Sequence, residues 1–440
     1  MQFKDGRSVA IVVAGLALAA GILSEGAVDA QSRPASTRPA ATGQTARQAW
    51  PMWRGPLGTG EAPAAKPPLE WSETKNVKWK VALPGLGKSS PIVWGDTIYV
   101  TSAVPGDAGA LKFSLIALNR ADGKEKWTRV LRQEKPHEGH HPDGTFAGGS
   151  ALTDGTRVYA WFGSRGLYAV DLTGKVLWEK SFGQMQTRNG FGEGSSVAVH
   201  AGTVIVPWDH EGADFVIAVD AATGAEKWRT QRDEPTTWST PLVVTEGVKP
   251  QVVLSGTNKV AAYDLASGAL VWEAGGTTVN AIPSPVFGDG LLIAMGGFRG
   301  SMARAIRVAD AKGNVTGTPA AVWTYEKDTP YVPSPLLYRG ALYFLKVNTG
   351  ILTSLDAKTG AVRFTERLTE TPNVYASPVG ADGRVYIVGR EGKTSVLEAG
   401  PTLKVLATNA IDDATDTSPA LVDGELYLRG AKSLYRISAD

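Results

Sequence analysis

The stretch Val216–Trp228, VIAVDAATGAEKW, decides the fold. Its first four residues form an apolar run that is typical of a β-strand. Asp220 and Gly224 supply turn chemistry, because an aspartate carboxylate accepts hydrogen bonds from nearby backbone N–H groups and glycine adopts positive φ without strain. A second strand begins at Lys227 and Trp228. The stretch therefore predicts two short strands joined by a tight turn.

The same phrase recurs along the chain, each time with an aromatic residue four positions after the glycine. The other copies are Leu115–Trp127, Tyr168–Trp178, Ala261–Trp272 and Thr353–Phe364. A second element precedes each copy: a small or hydroxylated residue, a proline or its equivalent, an apolar run and a glycine turn. The proline-equivalent positions are 91, 151, 197, 241, 285, 335, 378 and 419. Eight units of roughly 45 residues lie in the range of propeller blades.

Each unit holds four short strands, and no convincing amphipathic helix follows the first 30 residues. The pattern predicts an all-β fold, an eight-bladed β-propeller of four-stranded blades. The last unit lacks its outer strand, whereas Val77–Leu83 (VKWKVAL) has one without a preceding unit. We therefore expect this N-terminal strand around Trp79 to complete the last blade and to close the ring, which removes exposed sheet edges.

One large aromatic residue per blade is predicted to pack between neighbouring sheets, far from the axis. These residues are Trp79, Trp127, Trp178, Trp228, Trp272, Trp323 and Phe364. The D-x-x-TG-x-x-x-W phrase and the S-P start resemble the repeat of the pyrroloquinoline-quinone (PQQ) propeller superfamily. That superfamily contains quinoprotein alcohol dehydrogenases and BamB-type scaffolds of outer-membrane protein assembly. Trp50–Gly60 (WPMWRGPLGTG) also resembles the start of bacterial PQQ-like repeat proteins. The repeat specifies the fold strongly and the function weakly.

The N-terminus reads as a secretory signal over residues 1–30. Lys4 and Arg7 precede the apolar run Ser8–Leu23, and small residues lie before a cleavage site after Ala30. The apolar run is shorter than the ~20 residues that span a bilayer, so we expect no stable membrane span after cleavage. Residues 31–49 read as a flexible linker and residues 50–440 as one propeller domain. The expected location is periplasmic or secreted.

The charge and the cysteine content of the chain limit the classes of binding partner. The chain of 440 residues has a formal net charge of +2 and no basic run, which argues against nucleic-acid binding. It contains no cysteine, so it has neither a disulfide nor a thiol that a lipid anchor would need. We expect a monomer that binds an envelope protein, a peptide or a small-molecule ligand.

The lengths and residue types of the loops indicate which face of the propeller carries the functional site. The turns between strands one and two and between strands three and four are short; we call this the tight-turn face. The loops on the other side, the crossover face, are long and chemically mixed, and such loops usually carry function. Trp238 should approach the axial funnel there. The candidate ligand- or partner-binding residues are Arg188, Glu193, Asp209, His210, Trp238, Asn280, Arg299 and Tyr331.

The loop Lys135–Phe146 gathers three of the five histidines. His137, His140 and His141 suggest a metal site, because imidazole is a suitable ligand for zinc or copper. Their spacing is not that of a helix and no matched second cluster is found. The alternative is a polar loop without a metal.

Two functions stay open from the sequence. One is a non-catalytic binding scaffold, favoured by compact blades. The other, which the resemblance implies, is a PQQ-dependent dehydrogenase acting on alcohols or sugars, with Ca²⁺. In that case Trp238 would stack on PQQ, while Glu193 and Asn258 or Asn280 would bind calcium. Against it, the vicinal cysteine pair of those enzymes is absent and no C-x-x-C-H haem motif is present.

Overall fold

A computed structural model describes residues 49–439 of the chain. The predicted signal peptide, and the predicted linker apart from Ala49, lie outside the described residues. In chain order the first strands are β1 (Ala49–Trp50), β2 (Val77–Ala82), β3 (Ile92–Trp94), β4 (Thr97–Pro105), β5 (Leu111–Asn119), β6 (Glu125–Glu134), β7 (Leu152–Thr153), β8 (Arg157–Trp161), β9 (Leu167–Asp171), β10 (Val176–Lys180), β11 (Ala198–His200), β12 (Thr203–Trp208), β13 (Phe215–Asp220), β14 (Glu226–Gln231), β15 (Leu242–Val244), β16 (Gln251–Leu254) and β17 (Lys259–Asp264).

The second half of the chain continues in the same way. Its strands are β18 (Leu270–Gly275), β19 (Val286–Gly288), β20 (Leu291–Gly296), β21 (Met302–Arg307), β22 (Gly313–Asn314), β23 (Ala321–Tyr325), β24 (Leu336–Tyr338), β25 (Ala341–Leu345), β26 (Ile351–Asp356), β27 (Val362–Arg367), β28 (Val379–Ala381), β29 (Arg384–Val388), β30 (Lys393–Glu398), β31 (Val405–Ala410), β32 (Ala420–Val422), β33 (Glu425–Arg429) and β34 (Ser433–Ser438). The helices of the described residues are four 3-10 turns, Asp107–Gly109, Gly163–Arg165, Arg188–Gly190 and Val308–Asp310. No helix within residues 49–439 is long and apolar enough to cross a membrane.

The strands form eight sheets, which confirms the predicted eight-bladed all-β propeller. Blades 1 to 4 are built on β3–β6, β7–β10, β11–β14 and β15–β18, and blades 5 to 7 on β19–β21 with β23, β24–β27 and β28–β31. Blade 8 has the order β2-β34-β33-β32, so the N-terminal strand closes the ring as predicted. Two blades carry a fifth strand: β1 pairs with β3 at the inner edge of blade 1, and β22 pairs in parallel with β18 at the outer edge of blade 4.

The Gly and Trp of the repeat join neighbouring blades. In blade 2, Trp178 packs on Gly224 of blade 3, where an added Cβ would lie 2.8 Å from its ring. The indole N–H of Trp178 also donates to the Ala221 carbonyl at 3.1 Å. The same glycine contact recurs for four further tryptophans, Trp79 on Gly123, Trp127 on Gly174, Trp228 on Gly268 and Trp323 on Gly360. The glycine of each of the five phrases therefore receives the indole of the preceding blade. Trp272 differs, because its indole N–H donates to Gln251 of its own blade at 2.7 Å.

A second ring of contacts surrounds the axis. The residue before each proline-equivalent position is a serine or threonine, and its backbone N–H donates to the hydroxyl of the same residue in the next blade. Seven such bonds of 2.8–3.0 Å link Ser90, Ser150, Ser196, Thr240, Ser284, Ser334, Ser377 and Ser418. We call these eight residues the hydroxyl ring. The predicted S-P start of each unit thus forms the inner seam of the propeller.

The stretch Ala49–Ala62, here the axial segment, fills the centre of the propeller beneath the hydroxyl ring. It pairs with blade 1 through β1, and the Pro51 carbonyl accepts the Thr153 N–H of blade 2 at 2.8 Å. On the opposite side the Gly60 carbonyl accepts the Gly380 N–H of blade 7 at 3.0 Å. The sequence linked WPMWRGPLGTG to a family resemblance but did not predict that it lies on the axis.

Candidate functional site

The funnel on the crossover face ends in a cavity of about 260 Å³. Crossover loops from several blades supply its walls, with Phe191, Trp238, Tyr331 and Tyr375 as the aromatic side chains. Its lower part is lined by Trp53 of the axial segment and by seven hydroxyl-ring residues: Ser90, Ser150, Ser196, Thr240, Ser334, Ser377 and Ser418. Because the axial segment lies below, the cavity opens towards the crossover face.

A charge network stands on one wall of this cavity. The Arg390 guanidinium contacts Asp143 Oδ1 at 2.7 Å and Asp416 Oδ1 at 2.8 Å, and the Lys88 ammonium contacts Asp416 Oδ2 at 2.5 Å. Tyr375 donates its hydroxyl to Asp143 at 3.1 Å and lies under the Arg390 guanidinium, 4.0 Å from ring centroid to Cζ. Two cations therefore neutralise two carboxylates, and each partner fixes the others.

The pKa values in this network follow from burial and pairing. Burial raises the pKa of Asp143, but the hydrogen bonds from Arg390 and Tyr375 more than offset that effect, so the net pKa lies below its ordinary value. Burial lowers the pKa of Arg390, whereas the facing Asp143 and Asp416 raise it by more. Both groups are charged at neutral pH.

Three of the predicted site residues line the cavity. Trp238 donates its indole N–H to the Gly192 carbonyl at 2.7 Å, and Tyr331 stacks on Phe298 with ring centroids 4.6 Å apart. Glu193 is mostly buried, accepting from the Ser164 N–H at 2.7 Å and from Arg165 at 3.2 Å. Burial raises the pKa of Glu193, although Arg165 opposes the shift.

Two other predicted residues lie beside the cavity without lining it. Asn280 is buried with φ 58°, and its amide donates to the Tyr331 hydroxyl at 3.3 Å. Arg299 is exposed, with its guanidinium 5.4 Å from the Phe298 ring centroid. Together with Tyr331 and Phe298 they form an aromatic and cationic patch on the rim, which we call the rim patch.

Arg188, Asp209 and His210 do not line the cavity. Arg188 is 3.7 Å from the Glu211 carboxylate, and His210 is buried, with Nδ1 accepting from the Gln186 N–H at 3.2 Å. Asp209 is buried in an ion pair with Arg232, whose Nε lies 2.7 Å from Asp209 Oδ1. These contacts join the loop that carries Arg188 to the loop that carries His210, and they tie Asp209 to Arg232 beyond β14.

The three loop histidines turn towards different partners. His137 Nε2 contacts the Met185 carbonyl at 2.7 Å, and His140 Nδ1 contacts the His141 carbonyl at 2.7 Å. His141 Nδ1 instead accepts the Asp143 N–H at 3.1 Å. Within residues 49–439 the group whose ligand atoms converge, all within 4.8 Å, is His137, Glu138 and Glu193. A metal on His137, His140 and His141 stays a prediction.

The sequence did not predict several residues of the cavity, nor that they lie together. Lys88, Asp416 and Phe191 were not singled out, and Trp53 was noted only within a resemblance. Arg390 and Asp143 bond across 247 positions of sequence, and no local pattern pairs such distant residues. The S-P repeat was the one available signal for the cavity floor, because it marks the same position in every blade.

A buried acidic network lies beneath the loops that carry Trp238. Glu234 accepts the backbone N–H groups of Asn258 and Lys259 at 2.8 and 2.9 Å, and its own N–H donates to Asp214. Burial raises the pKa of Glu234 to about 7, and these hydrogen bonds only partly oppose it. Burial also raises the pKa of Asp214.

This raised pKa predicts a pH dependence of stability. A carboxyl group whose folded-state pKa is above its unfolded value binds its proton more tightly in the folded state, so the free energy of unfolding falls as pH rises from about 4.5 to 7. We expect Glu234→Gln to flatten this decline by up to about 3 kcal/mol, since one pKa unit is worth 1.36 kcal/mol. Urea unfolding between pH 4.5 and 7.5 measures it. The exposed Glu246→Gln is the control, and equal slopes for wild type and Glu234→Gln would contradict the prediction.

Comparison with known proteins places the chain in a family. The segments 69–207, 183–318 and 213–440 match the family model described as outer membrane protein assembly factor BamB. Together they span residues 69–440, well over half of the sequence. The chain belongs to this family of PQQ-like β-propellers. A search of curated protein sequences found no match.

Solved structures share the PQQ-like propeller fold at low identity. BamB from Moraxella catarrhalis is 13% identical with a TM-score of 0.56, covering 82% of this chain and 99% of its own. Quinohemoprotein alcohol dehydrogenase from Comamonas testosteroni is 12% identical with a TM-score of 0.64, covering 90% of this chain and 81% of its own. At such identities the likeness shows the fold alone.

Proposed function

We propose that this PQQ-like propeller is a non-catalytic binding module of the bacterial cell envelope, which holds its ligand or partner on the crossover face around the funnel. The observation that carries the proposal is the closed charge network of the wall. Asp143 and Asp416 are already bonded to Lys88, Arg390 and Tyr375, so neither carboxylate is free to act as a base. Such a wall is preorganised to bind.

The rim adds contact area of the kind that interfaces use. Tyr331, Phe298 and the exposed Arg299 stand together at the edge of the funnel, and aromatic residues and arginine are enriched at interaction hot spots. The family description, an assembly factor of outer membrane proteins, supports an envelope location and a protein partner.

The alternative, a PQQ-dependent dehydrogenase with Ca²⁺, is supported less well. Calcium takes six to eight oxygen ligands, and the residues that the sequence offered bond elsewhere. The Glu193 carboxylate accepts from Ser164 and is paired with Arg165. The Asn258 and Asn280 amides donate their N–H groups to the Asp233 carbonyl and to Tyr331, and the Asn280 Oδ1 is buried without a hydrogen-bond partner in the described chain. A single amide oxygen and an arginine-paired carboxylate fall well short of a calcium ligand set. A second cation beside Asp143 or Asp416 would face Arg390 directly. These residues therefore do not fit PQQ with Ca²⁺.

The rim patch gives a test of the binding role. We expect Arg299→Glu to lower capture of a specific envelope partner at least tenfold, because it reverses the charge beside Phe298 and Tyr331. Lys358→Glu makes the same charge reversal at an exposed position on the tight-turn face and should leave capture unchanged. Purified variants with a photo-crosslinker, added to envelope extract, provide the measurement.

Three results would overturn the proposal. The first is equal capture by both variants, and the second is no specific capture by wild type. The third is alcohol-dependent dye reduction by the purified protein after loading with PQQ and Ca²⁺, since turnover would make it an enzyme.

A further inference from the structure

The floor of the funnel cavity presents hydroxyl donors that have no acceptor in the described chain. Each hydroxyl has one O–H donor and can also accept. In the hydroxyl ring the oxygens of Ser150, Ser196, Thr240, Ser334, Ser377 and Ser418 accept the N–H of the preceding blade. No group among residues 49–439 accepts their hydroxyl protons. These six residues line the cavity, so their donors are available to a ligand there.

Trp53 adds a further donor at the same level. Its side chain is half-buried and lines the cavity from the axial segment. Its indole N–H has no hydrogen-bond partner among residues 49–439. An indole N–H is a donor only, so the floor again offers a proton and requires an acceptor.

A buried positive charge lies directly beneath this floor. The Arg54 guanidinium donates to the Pro335 carbonyl at 2.5 Å and the Pro378 carbonyl at 2.6 Å, each one residue beyond the hydroxyl ring. Within the described residues Arg54 forms no ion pair, and it is only 2% exposed. Burial lowers its pKa to about 9, which still leaves it protonated at neutral pH.

The charges around the cavity leave this arginine uncompensated. On the wall, the cations of Lys88 and Arg390 are balanced by Asp143 and Asp416. Glu193, the other carboxylate that lines the cavity, is paired with Arg165 at 3.2 Å. Arg54 therefore contributes a net positive potential at the floor, and a charge in a site shielded from water acts more strongly than in bulk solvent. Hydroxyl and indole donors above an unpaired cation favour an anion with several acceptor oxygens.

We propose that the cavity floor binds a small oxyanion, a carboxylate or phosphate group, through the hydroxyl ring and the Trp53 indole, with Arg54 supplying the charge. The cavity of about 260 Å³ holds the volume of roughly nine waters, so a compact anionic group fits. The inference deepens the proposed function by naming the chemistry of the ligand that the funnel takes.

Isothermal titration at constant ionic strength tests this with three probes: acetate, inorganic phosphate and acetamide. Acetamide has the shape of acetate without its charge. We expect saturable binding of acetate, phosphate or both in the millimolar range or tighter, and none of acetamide. Binding of acetate alone would assign a carboxylate, and binding of phosphate alone a phosphate group.

Two conservative variants place the binding at the floor. Trp53→Phe removes the indole N–H and keeps an aromatic ring, and Thr240→Val removes one hydroxyl at nearly constant volume. Each should weaken anion binding about tenfold, since a hydrogen bond to a charged group is a strong one. The matched control Trp127→Phe changes an outer-rim tryptophan and should leave affinity unchanged. Thermal unfolding verifies that each variant is folded.

The inference is overturned if neither anion saturates, if acetamide binds as well as acetate, or if both floor variants bind like wild type. Its failure differs from failure of the proposed function. Loss of anion binding with intact Arg299-dependent capture would leave the partner-binding role standing on the rim alone.

Discussion

Replacing Asp209 with alanine is expected to lower the free energy of unfolding by about 3–5 kcal/mol. The side chains of Asp209 and Arg232 are both 0% exposed, and Nε and Oδ1 are 2.7 Å apart. Arg232 also donates to the Tyr263 hydroxyl at 3.0 Å. Removal of the carboxylate leaves a buried guanidinium without its counter-charge, which costs more than the lost contact itself.

Guanidinium unfolding of the purified variants measures this loss. Glu226→Ala is the matched control, because its partner Arg229 is 35% exposed and a surface ion pair contributes about 0–1 kcal/mol. The double replacement Asp209→Leu with Arg232→Met should recover much of the stability, since it removes both buried charges. A loss below 1 kcal/mol for Asp209→Ala would contradict the assignment of this residue to the structure of its loop.

Gly224→Ala is expected to destabilise the protein by about 3 kcal/mol. The residue has φ +72°, which costs an alanine about 1–2 kcal/mol. An added Cβ would also lie 2.8 Å from the Trp178 ring and force apart the contact between blades 2 and 3.

A second glycine separates these two costs. Gly202 has φ +71°, and an added Cβ there meets no atom within 4 Å. We therefore expect Gly202→Ala to lose only the backbone part, about 1–2 kcal/mol, in the same denaturation assay. Equal losses at both positions would show that the tryptophan contact contributes nothing to stability.

The glycine pair also illustrates what the repeat encodes. The pattern D-x-x-TG-x-x-x-W predicted the turn at Gly224 and a packing role for the outer-strand aromatics, and both follow from local rules. It did not predict that the tryptophan of the preceding blade packs on this glycine. The strand limits also differ. The apolar runs of the first unit predicted strands over Thr97–Thr101 and Lys126–Val130, whereas β4 spans Thr97–Pro105 and β6 spans Glu125–Glu134.

For the candidate site, the sequence pointed to the crossover loops, and residues of these loops line the cavity. It did not predict which residues of the loops contact one another. Asp209 and His210 have the polar chemistry of ligand-binding residues, yet burial among neighbouring loop residues determines what they contact. Conversely, Trp53 and Arg54 stand in an N-terminal stretch without a strand pattern, and only threading along the axis brings Arg54 to Pro378, 324 positions away.

By itself the sequence determined the eight blades, their four-stranded order and the closure by Val77–Ala82, because strand periodicity, turn chemistry and the repeat are short-range and recur eight times. The tertiary structure alone decided the site. The cavity is lined by residues from the axial segment and from the starts and crossover loops of the blades. The charge and hydrogen-bonding state of these residues depends on neighbours that can lie hundreds of positions away in the sequence, such as Arg390 beside Asp143.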